Sequence, residues 1–423
     1  MRRLFGLLLI PLLVCCCKGG GGGDPSGDPG TPSGGDPDPV KVSGITGSFI
    51  QHWYVSSWTP AQWDAEMKIL SDAGMEYLVF TPVKSGEEAP DYNALGKCLQ
   101  SAATAGIKVF VGTNFHEKWW DGSITAAWLN ERMTEGVEIA REVYKRYGTT
   151  YKKSLYGWYW DWEVDNASWN TRKQMLTDAW NITLDGLSGI DASMPLLFCP
   201  FMNPVYGTAK QYGDFWKEVF PALHLRKGDI FAPQDCVGAA GLPVTTVKSW
   251  FYQFAEAVKT VDGLQLWADI ELFEQFNYHG EAKFATAPFS RMVRQIAAVE
   301  PFVSGILCFA YSHYYSPAVV REEYHNAYKA YIKDGKEPSV AVPGSVNSTS
   351  KEVGTGVALS WTKSTRKDVD GFAIYKNGKL LLKLQVREGQ YPLYFFDYEG
   401  KASDSYQIAV YNLNGDESEK VAF

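Results

Sequence analysis

The sequence has no lysine- or arginine-rich run, and 48 acidic against 40 basic residues leave a formal net charge of -8. Nucleic acid, whose phosphates demand a basic footprint, is therefore excluded as a partner. Histidine is scarce, with six in 423 residues, and no HExxH, HxH or Cys/His cluster occurs. His116-Glu117 alone does not make a ligand set, so neither a metal nor another cofactor is expected. None of the seven cysteines sits in a CxxC pair. Cys98, Cys199, Cys236 and Cys308 are widely spaced, and Cys199 and Cys308 lie in apolar runs where a thiol behaves as a small hydrophobe. Free thiols are expected, with a disulfide as the open alternative for an exported chain. The apolar run from Leu4 to Val14 is too short for a permanent membrane span.

Aromatic residues are abundant: 14% of the chain, with 15 Trp and 24 Tyr. That exceeds what a core of this size needs, so some rings are free to line a binding surface. The length suits a barrel of about 250–300 residues plus a unit of about 80–100. Arg2-Arg3, the apolar run and Cys15-Cys16-Cys17 read as an export signal over residues 1–17. Leu13-Val14-Cys15-Cys16 resembles the lipobox of bacterial lipoproteins, which implies a lipidated Cys16; Cys17 fits almost as well, and Cys15 stays open. Residues 18–42, dominated by Gly, Asp, Pro and Ser, cannot bury apolar surface and read as a flexible tether. The expectation is a monomer anchored by lipid to a membrane of the cell envelope, on a face the sequence does not specify.

Over residues 43–335 short apolar strands alternate with amphipathic helical stretches, the pattern of βαβ units and a parallel sheet. Strands are predicted at 45–51, 76–81, 107–113, 155–163, 195–201, 229–235, 264–271 and 304–311. Helices are predicted near 60–73, 91–105, 126–147, 171–188, 209–223, 244–260, 286–299 and 318–332. Thr59-Pro60 marks one helix start, and Gly74 and Gly106 mark two helix ends. Eight such units close into an α/β (β/α)8 TIM barrel, whose catalytic groups lie at the carboxyl ends of the strands. Leu272-Phe273-Glu274-Gln275 and Ser312-His313-Tyr314-Tyr315 lack the Gly-rich turn of phosphate-binding barrels, so phosphorylated substrates are not expected.

Residues 336–423 alternate at period two and carry turns at Asn377-Gly378 and Asn414-Gly415, so a small all-β sandwich follows the barrel. Its buried Trp361, then DGFAIYKNG, then a strand over Tyr406–Tyr411 resemble a fibronectin type III domain. No site chemistry is evident in it.

In the fourth strand Tyr159, Asp161 and Glu163 share one face, and Trp158, Trp160 and Trp162 the other. Three tryptophans on one side pack under helices, which turns the carboxylates toward the barrel axis. The seventh strand repeats the layout with Trp267, Asp269 and Glu271 inward and Leu266, Ala268 and Ile270 outward. Inward acids are costly to desolvate unless they are paired or reactive. Glycoside hydrolysis needs two such carboxyls, one to protonate the leaving oxygen and one to attack the anomeric carbon or activate water. The plainer reading is that they pair with cations and hold the mouth together. Asp161 and Asp269, one position deeper, serve equally well as substrate contacts or as groups that tune their neighbours. Further candidate contacts are Gln51, His52 and Trp53 after strand one; Asn114, His116, Trp119 and Trp120 after strand three; Asn203 and Tyr206 after strand five; Gln234 and Asp235 on strand six; and Tyr311 and His313 on strand eight. Amides, acids, imidazoles and ring faces are what sugar hydroxyls and C–H faces require. Trp119-Trp120 is the best stacking platform among them.

Paired glutamates at the ends of strands four and seven resemble the large clan of retaining (β/α)8 glycosidases. The resemblance implies Glu163 as acid/base and Glu271 as nucleophile, although Trp162 stands where that clan typically has Asn. GSFIQHW, GWYWDWEVDN, APQDCVGA and LWADIELFE resemble a Bacteroidetes-type lipoprotein barrel family, known chiefly as a domain of unknown function and associated with glycosidase activity. This resemblance covers roughly residues 44–331. It implies a carbohydrate substrate; a non-catalytic surface glycan-binding protein using the same cleft is the rival expectation.

Overall fold

The computed structural model describes residues 44–423 except positions 367 and 388. The predicted signal, lipidated Cys16 and tether lie outside the described residues.

Eight parallel strands are present: β1 (Gly47–Gln51), β2 (Tyr77–Thr81), β3 (Lys108–Gly112), β4 (Leu155–Trp160), β5 (Leu196–Phe198), β6 (Ile230–Phe231), β7 (Gln265–Leu266 continuing as Ala268–Glu271) and β8 (Ile306–Phe309). Neighbours pair in chain order from β1 to β7, and β8 lies between β7 and β1. A further bridge joins Gln234 to Asp269, so β6 also meets the second half of β7 and the sheet closes. The outer helices are α1 (Pro60–Asp72), α2 (Tyr92–Ala105), α3 (Ala126–Tyr147), α4 (Lys173–Asp191), α5 (Ala209–Val219), α6 (Val244–Val258), α7 (Phe289–Val299) and α8 (Glu322–Asp334). The predicted barrel is therefore the observed one.

Local chemistry explains the boundaries. Thr59 and Gln62 form a reciprocal capping box at the start of α1, with Pro60 at its first position. Gly106 ends α2 in the left-handed region at φ 76°. Inside the barrel Phe49, Val79, Phe110, Tyr159, Leu197, Ile230, Trp267 and Leu307 fill one cluster. Trp158, Trp160, Leu266, Ala268 and Ile270 join the separate layer under the helices. Trp160 stacks on Trp180 of α4 at 4.4 Å, so most of the aromatic surplus is core.

Several boundaries differ from the sequence reading, three of them near the site. Strand four stops at Trp160, whose indole N–H donates to the Trp162 carbonyl at 2.5 Å, and Asp161 and Glu163 lie beyond the ladder. Strand six forms a continuous ladder only over Ile230–Phe231, with the single Gln234–Asp269 bridge beyond it. An unpredicted antiparallel hairpin, Phe273–Tyr278 with Glu281–Thr286, follows β7 and delays α7 to Phe289.

After α8 the chain forms two antiparallel sheets. One contains Ser348–Val353, Val357–Trp361 and Tyr394–Asp397; the other Gly371–Lys376, Lys379–Gln385, Tyr406–Tyr411 and Val421–Ala422. They share a core that includes Val357, Leu359, Trp361, Phe372, Ile374, Tyr406, Ile408 and Val410. Asn377 and Gly378, at φ 51° and 78°, make the tight turn expected between adjacent strands.

Candidate active site

The barrel mouth is built on the apolar floor of Phe49, Phe110, Tyr159 and Trp267. Just above it Asp161 accepts a hydrogen bond from the Thr81 hydroxyl, and its other oxygen is buried without a partner. Burial drives its pKa well above the usual carboxylate range, so the neutral acid is favoured. A Cβ added at Gly112 would lie 2.2 Å from Asp161 Oδ1, so only glycine leaves room for this carboxyl. Asp269, 2% exposed, is driven upward by burial first and then by Glu271, Asp235 and Glu163.

Glu163 is half-buried. Its Oε1 accepts from Gln234 Nε2 at 2.8 Å, and its backbone carbonyl accepts from the Trp119 indole at 2.7 Å. Burial lifts its pKa to about 7, against the opposing pull of the Gln234 amide. Glu271 is 4% exposed and its Oε2 accepts from the Ala239 amide at 2.7 Å. Its own N–H donates to Asp235 Oδ1 at 3.2 Å, and its carbonyl accepts from both Arg291 and Gln295 at 3.0 Å. Its pKa is raised by burial and then by the Asp235 charge. Gln295 donates to Asp235 Oδ2 at 2.6 Å and completes this clamp. Burial first, and Glu163 and Glu271 after it, raise the pKa of Asp269 and of the Cys236 thiol. Consecutive residues of the chain hold the two glutamates: Gln234 donates to Glu163, and Asp235 accepts from the Glu271 N–H.

Other candidate residues divide by location. Gln51 and His52 are buried where β1 ends, His52 Nδ1 without a partner, and Trp53 is half-buried beside the His52 ring. His313 stacks on Tyr54 at 4.3 Å; its Nε2 is unpartnered, and burial lowers its pKa to about 4. Unsatisfied buried polar atoms of this kind are where a ligand hydroxyl or water is accommodated. Trp120 is half-buried against Phe201, and Tyr206 is exposed.

Four expectations are corrected. Asp235 has no exposed surface and is spent on Gln295, Val237 and Glu271. Tyr311 has none either; its hydroxyl meets His325 under α8. Asn114 points outward, donating to the Arg132 carbonyl and to Glu135 on α3. Trp119 is buried, stacked on Trp169 at 4.6 Å, and supports Glu163 rather than offering a sugar platform. His116 caps the short helical turn Glu117–Trp120 and contacts Glu87, and Asn203 locks its loop through Asn166.

Sequence reasoning missed Arg291 and Gln295, one helical turn apart on the buried face of α7. A charge and an amide on an otherwise apolar helix face were the available signal. Cys98, Cys199, Cys236 and Cys308 are all buried free thiols. Among the described residues no three or more His, Cys, Asp or Glu side chains are grouped to hold a metal ion.

The described residues thus form a (β/α)8 barrel with acidic residues at the carboxyl ends of its strands. Residues 45–321 match the domain of unknown function DUF4434, and the chain belongs to that family. The fold is similar to that of a candidate α-L-fucosidase from Bacteroides thetaiotaomicron, with TM-score 0.58 and 18% identity over 69% of this chain and 95% of that one. Weaker likenesses include a family 39 glycoside hydrolase from Bacteroides cellulosilyticus, with TM-score 0.44, 10% identity, 84% of this chain and 81% of that one. A candidate β-galactosidase from Bacteroides fragilis gives TM-score 0.41 and 12% identity over 90% of this chain and 54% of that one. No curated protein matches the sequence.

Proposed function

We propose that the protein is a retaining glycoside hydrolase acting on a polysaccharide or oligosaccharide. The observation that carries this reading is the pair Glu163 and Glu271, each held by its own hydrogen bonds and tied to the consecutive residues Gln234 and Asp235. In the first step Glu271 attacks the anomeric carbon while protonated Glu163 gives its proton to the departing glycosidic oxygen, leaving a glycosyl ester on Glu271. In the second, Glu163 takes a proton from water as the water oxygen displaces Glu271. Burial raises Glu163 to about 7, within reach of both duties near neutral pH, and raises Glu271 to about 8, so the nucleophile must give up its proton before it attacks. Gln234 and the Ala239 amide fix the two carboxylates, and His52 and His313 supply open hydrogen-bonding atoms for sugar hydroxyls.

The test is turnover on a panel of polysaccharides by the full chain and its isosteric variants. Glu163→Gln and Glu271→Gln are expected to lower kcat by about 100-fold or more while sugar binding persists. Binding without turnover in the unaltered chain would reject hydrolysis.

The same proposal places the protein at the cell envelope on a lipidated Cys16, supported by Arg2-Arg3, the Leu4–Val14 run and the cysteine triplet. Metabolic labelling with palmitate should mark the intact chain and not Cys16→Ser. Label that persists in that variant would move the anchor to a neighbouring cysteine.

A further inference from the structure

The hairpin after β7, Phe273–Tyr278 with Glu281–Thr286, forms a two-stranded sheet of its own. Two strands alone are marginal in water, so this pair needs other structure to hold it. The C-terminal sheets supply that support. Lys383 and Gln385, two residues apart on the strand Lys379–Gln385, share one face. Lys383 pairs with Glu274 at 2.7 Å, and both side chains are largely buried. Gln385 Oε1 accepts from the Thr286 N–H at 3.3 Å and from its hydroxyl at 3.0 Å. At the hairpin tip His279 sits between two carboxylates, with Nε2 2.9 Å from Asp397 Oδ1 and Nδ1 2.6 Å from Glu399 Oε2, and its ring packs on Tyr398 at 4.8 Å.

The base of the same hairpin holds the loop that grips Glu271. The N–H of Gln275, next to Glu274, donates to the Gly238 carbonyl at 2.9 Å. Ala239, the next residue of that loop, donates its N–H to Glu271 Oε2 at 2.7 Å. The seat is close: a Cβ added at Gly238 would lie 2.4 Å from the Phe273 carbonyl oxygen and 2.8 Å from Glu271 Cβ. On either side of Gly238 the backbone is strained, with Cys236 and Ala240 at φ 55° and 58° in the left-handed region that disfavours a side chain. Such a turn persists only where its surroundings hold it. Burial raises the Glu271 pKa and the Ala239 amide opposes that rise, so the loop favours the ionised carboxylate.

We propose that Lys383 is a positioning residue for Glu271: the C-terminal sheets hold the hairpin, the hairpin holds the loop over residues 236–241, and that loop sets the carboxylate. The sheets thereby serve the candidate site although they carry no reacting group. The coupling stands on contacts alone, and its catalytic consequence rests on the hydrolase reading. Reversing the charge of Lys383 sets two carboxylates together in a largely buried spot, which drives the hairpin off the sheets. The strained loop then loses its outer fastening, and Glu271 loses a fixed donor.

The experiment reads amide hydrogen exchange in the full chain, which needs no substrate. Val237, Ala239, Ala240 and Gly241 all donate hydrogen bonds through their N–H groups, so the loop begins protected. Lys383→Glu and the milder Gln385→Ala are expected to speed exchange over residues 236–241 at least about tenfold, while α3 keeps its rate. Adding Glu274→Lys to Lys383→Glu remakes the pair and should restore slow exchange. Lys68→Ala, which breaks an exposed pair on α1, should change none of these rates. A loop unmoved in both variants overturns the proposal, even where the hairpin itself exchanges faster. Acceleration shared equally by α3, or a charge swap that restores nothing, overturns it too. On any glycan that the unaltered chain cleaves, Lys383→Glu should lower kcat by about tenfold with KM held, and an unchanged kcat counts against the proposal in the same way. The hydrolase reading is judged apart. No turnover by the unaltered chain, with the loop responding as expected, rejects hydrolysis and leaves the coupling standing, whereas turnover with an unmoved loop rejects the coupling alone.

Discussion

Gln234 Nε2 donates to Glu163 Oε1 at 2.8 Å, while the same nitrogen lies 3.2 Å from the Cys199 carbonyl. The amide is therefore anchored by strand-five backbone and presents a fixed donor to the proposed acid. Because the bond favours ionised Glu163, its loss raises the Glu163 pKa above about 7.

Gln234→Ala is thus expected to move the alkaline limb of the kcat/KM profile to higher pH, since the acid must be protonated to act. A loss of about tenfold in kcat at neutral pH should accompany it, as Glu163 gains freedom. An alkaline limb that stays in place would show that Glu163 is not the group titrating there.

Asp235 acts on the other carboxylate. Its charge helps raise the Glu271 pKa, and its Oδ1 accepts from the Glu271 N–H. Asp235→Asn keeps an acceptor and removes the charge, so the Glu271 pKa falls and activity extends to lower pH. The acid limb of kcat/KM should shift down while the alkaline limb holds. A shift of the acid limb upward would contradict the assignment of Glu271 as the group that must ionise.

Gly112 tests the packing beneath the site. A methyl there would meet Asp161 Oδ1 at 2.2 Å and its Oδ2 at 2.8 Å. Gly112→Ala should cost about 1–3 kcal/mol of stability in denaturant unfolding and reduce kcat/KM by displacing Asp161 from Thr81. Gly122→Ala, with nothing within 4 Å of the added carbon, is the control and should change neither. Equal unfolding midpoints for the two variants would mean that Asp161 can move freely.

The barrel was legible because each strand–helix unit announces itself locally. Alternation put Tyr159 inward and Trp158 and Trp160 outward, and the structure sorts them the same way. The same alternation keeps Asp269 and Glu271 on β7, whereas Glu163 lies three residues past the end of β4. Side-chain direction past a strand end was not legible. Asn114 follows β3 but turns onto α3, where Gly136 leaves space: a Cβ there would lie 2.6 Å from Asn114 Oδ1. Tyr311 follows β8 and turns outward under α8 for want of a strand to alternate on. The β7 hairpin did leave a trace, since His279-Gly280, both at positive φ, separate two six-residue runs.

The central claim is double displacement through Glu271 with Glu163 as acid and then base. It is tested most directly by proton NMR of the first sugar released from a cleaved glycan, read before the product mutarotates. The account predicts a product with the same anomeric configuration as the bond that was cut. Release of the opposite anomer would mean that water attacks directly, and Glu271 could not be the nucleophile.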